Sequence, residues 1–362
     1  MDKEMIADKQ GIALVILFVA GTSTAWPTAT AAGRDIWLAI LAAILGACFI
    51  VSIYSRILSL YHGKDLFDIL ELLLGKFLGR GVSLLFIWFA FHMGALVIMG
   101  YGDFLITVSL PETPRLVPMI LIALLAIWGV KEGLEVLGRW AKLFLMLNIP
   151  MPIVTILMLI PQMELSNIRP VLYDGLAPVI RGAVDAFAFP FAETVVFMMV
   201  LSSVKEKKSP YRIYLMGLFF GGLLTFSVSL TEMLVLGPDI HAASFFPSHT
   251  AVTKINIAGL IHRLELISII STYTAAFVKL SICLLAAAKG LAKIFQFADY
   301  RFFVSPLGLS MLNFAYIIHG NILESRQWST RIWPYYAFPF QVALPLLILG
   351  IAEIKRKVQE SR

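Results

Sequence analysis

Gly21-Thr22-Ser23-Thr24 lies at the midpoint of the first apolar stretch, Gly11 to Ala32, and Phe189-Pro190-Phe191-Ala192-Glu193 interrupts another such stretch about half a chain later. A bilayer core offers no water to backbone N–H and C=O groups, so unwound backbone is tolerated there only where it lines a cavity or is buried in protein. Two interruptions in corresponding segments of two halves point to a binding site of the transporter type. The reading is a chain that holds a small polar solute at membrane depth.

Composition names the solvent. Of the 362 residues, 59% are hydrophobic and 14% charged, and the mean hydropathy is +0.85. A soluble fold of this length would carry more apolar side chain than one core can hide. A crossing needs about 20 mostly apolar residues. Ten stretches are read as spans: Gly11 to Ala32, Ile36 to Ser55, Gly81 to Leu110, Leu116 to Val130, Ala141 to Ile160, Gly182 to Val204, Tyr214 to Leu236, Leu264 to Ala288, Phe302 to Ile318 and Trp333 to Ile354. The fold class is therefore all-α integral membrane, with residues 1–362 forming one domain, since no linker rich in Pro, Ser or charge divides it. The first span lacks a small-residue cleavage site after it and is read as retained rather than as a signal peptide.

Basic residues accumulate on the cytoplasmic side of short loops. With the N-terminus inside and ten alternating spans, twenty of the 29 Lys and Arg residues fall inside and eight outside, leaving Lys279 within the eighth span. Both termini are expected in the cytoplasm, and one missed span would swap every later loop and cancel the bias. The net charge of +6 follows from basic loops facing an anionic leaflet; no basic stripe suggests nucleic acid. Leu66 to Leu78 reads as an interfacial helix and Ser248 to His262 as a short outer one.

The two interruptions have definite chemistry. Splitting a helix frees backbone groups that a ligand, ion, water or side chain must satisfy, and the positive ends of half-helices attract carboxylates. Gly21 permits unusual backbone angles, Thr22, Ser23 and Thr24 supply hydroxyls, and Trp26-Pro27 suits the start of a second half-helix. Small residues also allow close helix packing; the matching break in the second half is what argues for a site. Pro190 removes a ladder donor. Glu193 near the bilayer centre costs about 2.5 to 3.5 kcal/mol on insertion scales, so it is read as binding a ligand ammonium, carrying a proton or capping the unwound segment. Lys279, equally deep, is read as replacing an ion between helices or pairing with a carboxylate, in preference to proton transfer.

Weaker signals take structural readings. Gly217-x-x-x-Gly221 followed by Gly222 has the spacing of close helix crossings. Pro150 and Pro152 beside Asn148 predict a bent fifth helix. Asp185, Asp103 and Glu232 read as vestibule or interfacial groups, His92 as a hydrogen-bonded core residue, and Cys48 and Cys283 as packed small hydrophobes. The histidines show no metal-ligand spacing, and no metal or cofactor is expected.

Taken together, Gly21 through Pro27, Asp35-Ile36-Trp37, Asn167-Ile168-Arg169-Pro170-Val171-Leu172 leading to Gly175, Phe189 through Glu193, and Phe277-Val278-Lys279 resemble the spore-germination permease family. These are the B-type integral-membrane subunits of germinant receptors, within the amino acid, polyamine and organocation transporter superfamily. The resemblance spans essentially the whole chain. It implies a LeuT-like five-plus-five inverted repeat, about residues 11–160 mirrored by 182–354, with broken helices 1 and 6. It implies an amino-acid carboxylate on the backbone of Gly21 to Ser23, and the amino group or side chain facing Phe189, Pro190, Phe191 and Glu193. It also implies a role in sensing nutrient germinants in the spore inner membrane, with A-type and C-type subunits as partners.

Three functions are weighed on this basis: a receptor subunit that detects a germinant by stabilising one conformation, a proton-coupled amino-acid transporter using Glu193 or Lys279, and, distantly, a membrane enzyme. The last has no nucleophile motif, metal cluster or phosphate loop in its favour.

Overall fold

The computed structural model describes residues 5–23, 26–202, 204, 206–255 and 261–360. Thr24 and the side chains of Thr22 and Ser23 lie outside the described residues, as do Lys3, Lys205 and Arg362 of the charge distribution. The regular structure of the described residues is helical: α1 Asp8–Ser23, α2 Ile36–Leu60, α3 Leu66–Val108, α4 Leu116–Glu132, α5 Leu134–Asn148, α6 Pro150–Leu159, α7 Leu176–Ala186, α8 Ser209–Ala243, α9 Pro247–Val252, α10 Ile261–Phe295, α11 Arg301–Ile317, α12 Ile322–Arg331, α13 Trp333–Phe338 and α14 Leu344–Glu360. The one extended contact among the described residues is a parallel bridge between Ile6 and Val204.

Among the described residues, seven segments are long and apolar enough to cross a bilayer, and α11 with α12, bent by 101°, makes an eighth if counted as one. α1 and α4, at 16 and 17 residues, span about 24 to 26 Å at 1.5 Å per residue, just short of a core of about 30 Å. Large apolar side chains such as Leu45 and Phe49 of α2, Met146 of α5 and Leu347 of α14 stand exposed. Each would forfeit about 1.5 to 3 kcal/mol of burial in water, a loss that lipid removes.

Local sequence sets the breaks between helices. Gly75, at φ 78°, separates Leu66–Leu74 from the rest of α3, so the expected interfacial helix is a distinct turn-off. Gly237, at φ 71°, precedes Pro238 and kinks α8. Asn148 ends α5, and its Nδ2 donates to Thr274 Oγ1 at 2.8 Å while its Oδ1 accepts from Ser271 at 2.5 Å; the bend beside Pro150 thus carries a polar bridge to α10. One expectation is corrected. No α-helix starts at Trp26-Pro27: residues 26–29 are irregular, and a 3₁₀ turn, Thr30–Asp35, with Gly33 at φ 53°, runs straight into α2. After α11, Asn321 Oδ1 accepts from Glu324 N at 3.0 Å and caps a further helix, α12.

The helices pack in two groups. α1 and α8 lie along one another, as do α2 and α8, with α7 against α2; α3 and α4 each pack on α10 and α11. α1 also crosses α10 and α5. Glycines set the closest approaches. A Cβ on Gly217 would fall 2.5 Å from Val15 Cβ, and one on Gly21 2.2 Å from Ala275 Cβ, so Gly217 and Gly221 are packing residues as expected.

The loop contacts sort by face. Arg34 Nη1 donates to Arg169 O at 2.9 Å, Asp35 accepts from Leu172 N at 3.0 and 3.1 Å, and Arg115 pairs with Asp103 at 2.6 Å and donates to His319 O. On the other face Arg56 pairs with Glu353 at 2.7 Å, Ser59 donates to Lys207 O, Lys293 pairs with Asp68, and Arg301 donates to Lys131 O.

Alanine at Gly217 is expected to lower the thermal midpoint of the purified chain, with overpacking costing about 1 to 3 kcal/mol. Alanine at Gly350, where a Cβ meets nothing within 4 Å, leaves it unchanged. Equal midpoints for the two variants would refute the close α1–α8 contact.

Candidate ligand site at the interrupted segment

After α7 the chain widens to a π turn, Phe187–Phe191, in which Phe189 is extended at φ −147°, ψ 113°, and then tightens to a 3₁₀ helix, Ala192–Met199. Both turns depart from the i to i−4 ladder, and Pro190 has no N–H to offer it. Backbone oxygens released this way must find donors in a region where an unsatisfied polar group costs several kcal/mol. Side chains supply them, all but one from other helices. Ala188 O accepts from Trp333 Nε1 at 3.2 Å and Gln341 Nε2 at 2.9 Å. Ala192 O accepts from Tyr54 at 3.4 Å, Thr194 O from Tyr214 at 3.3 Å, and Phe191 O from Thr194 Oγ1 at 2.8 Å. Tyr54 also donates to Gln341 O at 2.5 Å, which ties α2 to the last span. In α1, Gly21 O accepts from Tyr101 at 2.6 Å.

Glu193 and Lys279 meet directly: Lys279 Nζ donates to Glu193 Oε2, and both side chains are 2% exposed. Phe18 and Phe189 flank the ammonium at 4.9 and 5.0 Å from their ring centroids. Burying each ion alone would cost several kcal/mol; the pair and the ring faces offset that loss, and removing one partner re-exposes it. The partner that sequence left unnamed for Lys279 is thus Glu193, and the pair cancels to zero net charge.

Beside the pair lies a cavity with about 90 Å³ open to the centre of a water molecule. One water needs roughly 10–15 Å³ on this measure, so the space suits several waters or a small solute. Trp26, Tyr101, Phe189 and Trp333 give it aromatic walls, Asp185, Glu193, Lys279 and Arg326 contribute charge, and Val97 and Met93 of α3 close one side.

Of the residues singled out from sequence, Phe189, Glu193 and Lys279 line this cavity. Pro190 and Phe191 belong to the same turn but are buried in the surrounding core. Gly21 packs on Ala275 and meets the site through the Tyr101 bond to its carbonyl. Asp185 is on the cavity wall, whereas Asp103 pairs with Arg115 and Glu232 accepts from Ser248. His92 Nδ1 lies 3.0 Å from Tyr336 OH, the core role expected of it. Tyr54, Tyr101, Trp333, Gln341 and the α12 residue Arg326 were not found from sequence. Tyr54 and Gln341 stand 138 and 153 residues from the carbonyls they serve, and a polar glutamine inside the last apolar span was the one available sign.

The architecture is that of LeuT-fold transporters. Over 97% of this chain and 89% of the other, it superposes on the crystal structure of MhsT in complex with L-phenylalanine with a TM-score of 0.68 at 16% identity. Over 96% and 78%, it superposes on Mhp1, a nucleobase-cation-symport-1 family transporter in a closed conformation with bromovinylhydantoin bound, with a TM-score of 0.71 at 12% identity. Residues 5–322 match the family described as spore germination protein, and the chain belongs to that spore-germination permease family. Among its relatives are spore germination protein KB of Bacillus subtilis (strain 168), 26% identical over 99% of this chain and 98% of that protein, and spore germination protein XB of Bacillus anthracis, 20% identical over 69% and 70%.

Glu193→Gln and Lys279→Met are each expected to destabilise the purified chain by about 3 to 5 kcal/mol, since each strands a buried charge. The double substitution costs less than the sum of the two. Additive losses in denaturant unfolding would show that the two residues do not form a pair.

Proposed function

We propose that this chain is the B-type integral-membrane subunit of a spore nutrient-germinant receptor, which binds a small germinant, an amino acid, in the cavity beside the interrupted segment and so helps trigger germination. The observation that carries the reading is that cavity: small, aromatic-walled, bounded by the interrupted turn and the neutral Glu193–Lys279 pair, in a chain of the germination family. A receptor of this kind responds because the ligand favours one of two conformations, which needs differential affinity and not transport.

The same reading takes ten spans, counting α1 and α4, in a five-plus-five inverted repeat with interruptions in the first and sixth. Reciprocal contacts support it. If α1 answers to the interrupted sixth segment, α2 to α8, α3 to α10, α4 to α11 and α5 to α13, then contacts should come in matched pairs. α1 with α8 is matched by α2 with α7, and α3 with α11 by α4 with α10. α1 with α10 is matched by α3 with the Ala192–Met199 turn, and α1 with α5 by α13 with the Phe187–Phe191 turn. The two-sided sorting of loop contacts fits alternating spans with both termini in the cytoplasm, in the spore inner membrane, where A-type and C-type subunits would assemble with it.

A second reading, an active proton-coupled amino-acid transporter, is favoured by the likeness to MhsT and Mhp1. Saturable uptake of labelled amino acids into proteoliposomes under a pH gradient would establish it. For the receptor, Val97→Phe fills the cavity from α3 without stranding a charge. Spores carrying it are expected to hold parental amounts of the protein yet germinate about tenfold less responsively to nutrient, the equivalent of about 1.4 kcal/mol of lost ligand affinity. A parental response at parental abundance would move the ligand site elsewhere.

A further inference from the structure

Resting on the receptor reading above, the polar groups at the cavity can be sorted by what they already hold. Glu193 is engaged by Lys279. The carbonyls of Ala188, Ala192 and Thr194, which an interrupted segment would otherwise offer to a ligand ammonium, accept from Trp333, Gln341, Tyr54 and Tyr214. Arg326 donates to Ala242 O, and its guanidinium lies 5.4 Å from the Phe245 ring centroid. Asp185, one turn before Phe189 on the same wall, makes no hydrogen bond or ion pair with any described residue. An anionic side chain in an aromatic cavity, without a cation of its own, selects for one.

We propose that Asp185 is the specificity residue of this site and receives the ammonium of the ligand, so that the cavity takes small amine-bearing solutes with a compact apolar body. The walls agree with that chemistry. Trp26, Phe189 and Trp333 present aromatic rings to the same space, and aromatic faces attract ammonium groups and pack against short aliphatic chains. The volume excludes bulky solutes. The assignment also moves amine recognition from Glu193, where the sequence pointed, by two helical turns toward the face carrying Arg34 and Arg326, since Glu193 is already neutralised.

The test uses the purified full chain in detergent and ligand-induced shifts in its thermal midpoint. The probes are the twenty protein amino acids, their decarboxylated amines, their deaminated carboxylic acids, and neutral hexoses. The wild type is expected to be stabilised by one or more amine-bearing probes and not by their deaminated counterparts. Asp185→Asn, nearly isosteric, is expected to weaken that binding about tenfold or more while the ligand-free midpoint stays unchanged, and Asp185→Glu to recover part of it. Amine binding that survives in Asp185→Asn, or stabilisation by deaminated acids or hexoses with no preference for amines, overturns the role of Asp185 and leaves the cavity as the ligand site. Stabilisation by a ligand class that Val97→Phe does not affect overturns the cavity reading itself, and this inference with it.

Discussion

Hydrogen-bond satisfaction within lipid is the constraint on which the rest of this structure depends. Between Phe187 and Met199 the chain abandons the α-helical ladder, and it can do so because Tyr54, Tyr214, Trp333 and Gln341 bring hydroxyl, indole and amide donors to the released carbonyls. These donors come from α2, α8, α13 and the turn that follows it. The interrupted segment therefore cannot form until helices distant in sequence have assembled around it, and the helices cannot close ranks without it. Each such bond is worth only about 0.5 to 1.5 kcal/mol net. The penalty for leaving any one unmade is larger, which is why the released carbonyls of Ala188, Ala192 and Thr194 each have a side-chain donor.

The Glu193–Lys279 pair follows from the same constraint applied to charge. Neither ion is tenable alone at 2% exposure, and together they anchor the interrupted segment to α10 and, through the Phe18 ring, to α1. The pair thus belongs to the scaffold of the site as much as to its chemistry. Three elements that line or border the cavity converge on one ammonium, so their separation is set at a single point.

What could be read from sequence was what period, composition and expense reveal. Pro190, Glu193 and Lys279 are each unusual inside an apolar span, and the interrupted turn and the buried pair were legible for that reason; Gly21 is instead a close-packing residue within continuous α1. The family motifs Asp35-Ile36-Trp37 and Asn167 to Leu172 turn out to meet, with Asp35 holding Leu172 N and Arg34 holding Arg169 O. The donors that complete the break were not legible, because a tyrosine or tryptophan in an apolar span looks like packing until its partner carbonyl is known. The turn after Trp26 was misjudged because Pro27 is compatible with a helix start, and only Ala29 and Gly33, both at φ 53°, divert the chain into a 3₁₀ turn. α12 was missed since its polar composition hides it from any search for apolar runs.

The meeting of Gly21 with Ala275 has one more implication. At that crossing α1 and α10 are separated by hard contact, with no room for one additional methyl group, so their spacing is a mechanical stop and not a balance of attractions. Relative motion of the two helices can open the gap or slide along it, but it cannot compress it. A switch built on such a stop is one-sided at this crossing: α1 can part from Ala275 or slide past it, but cannot come nearer.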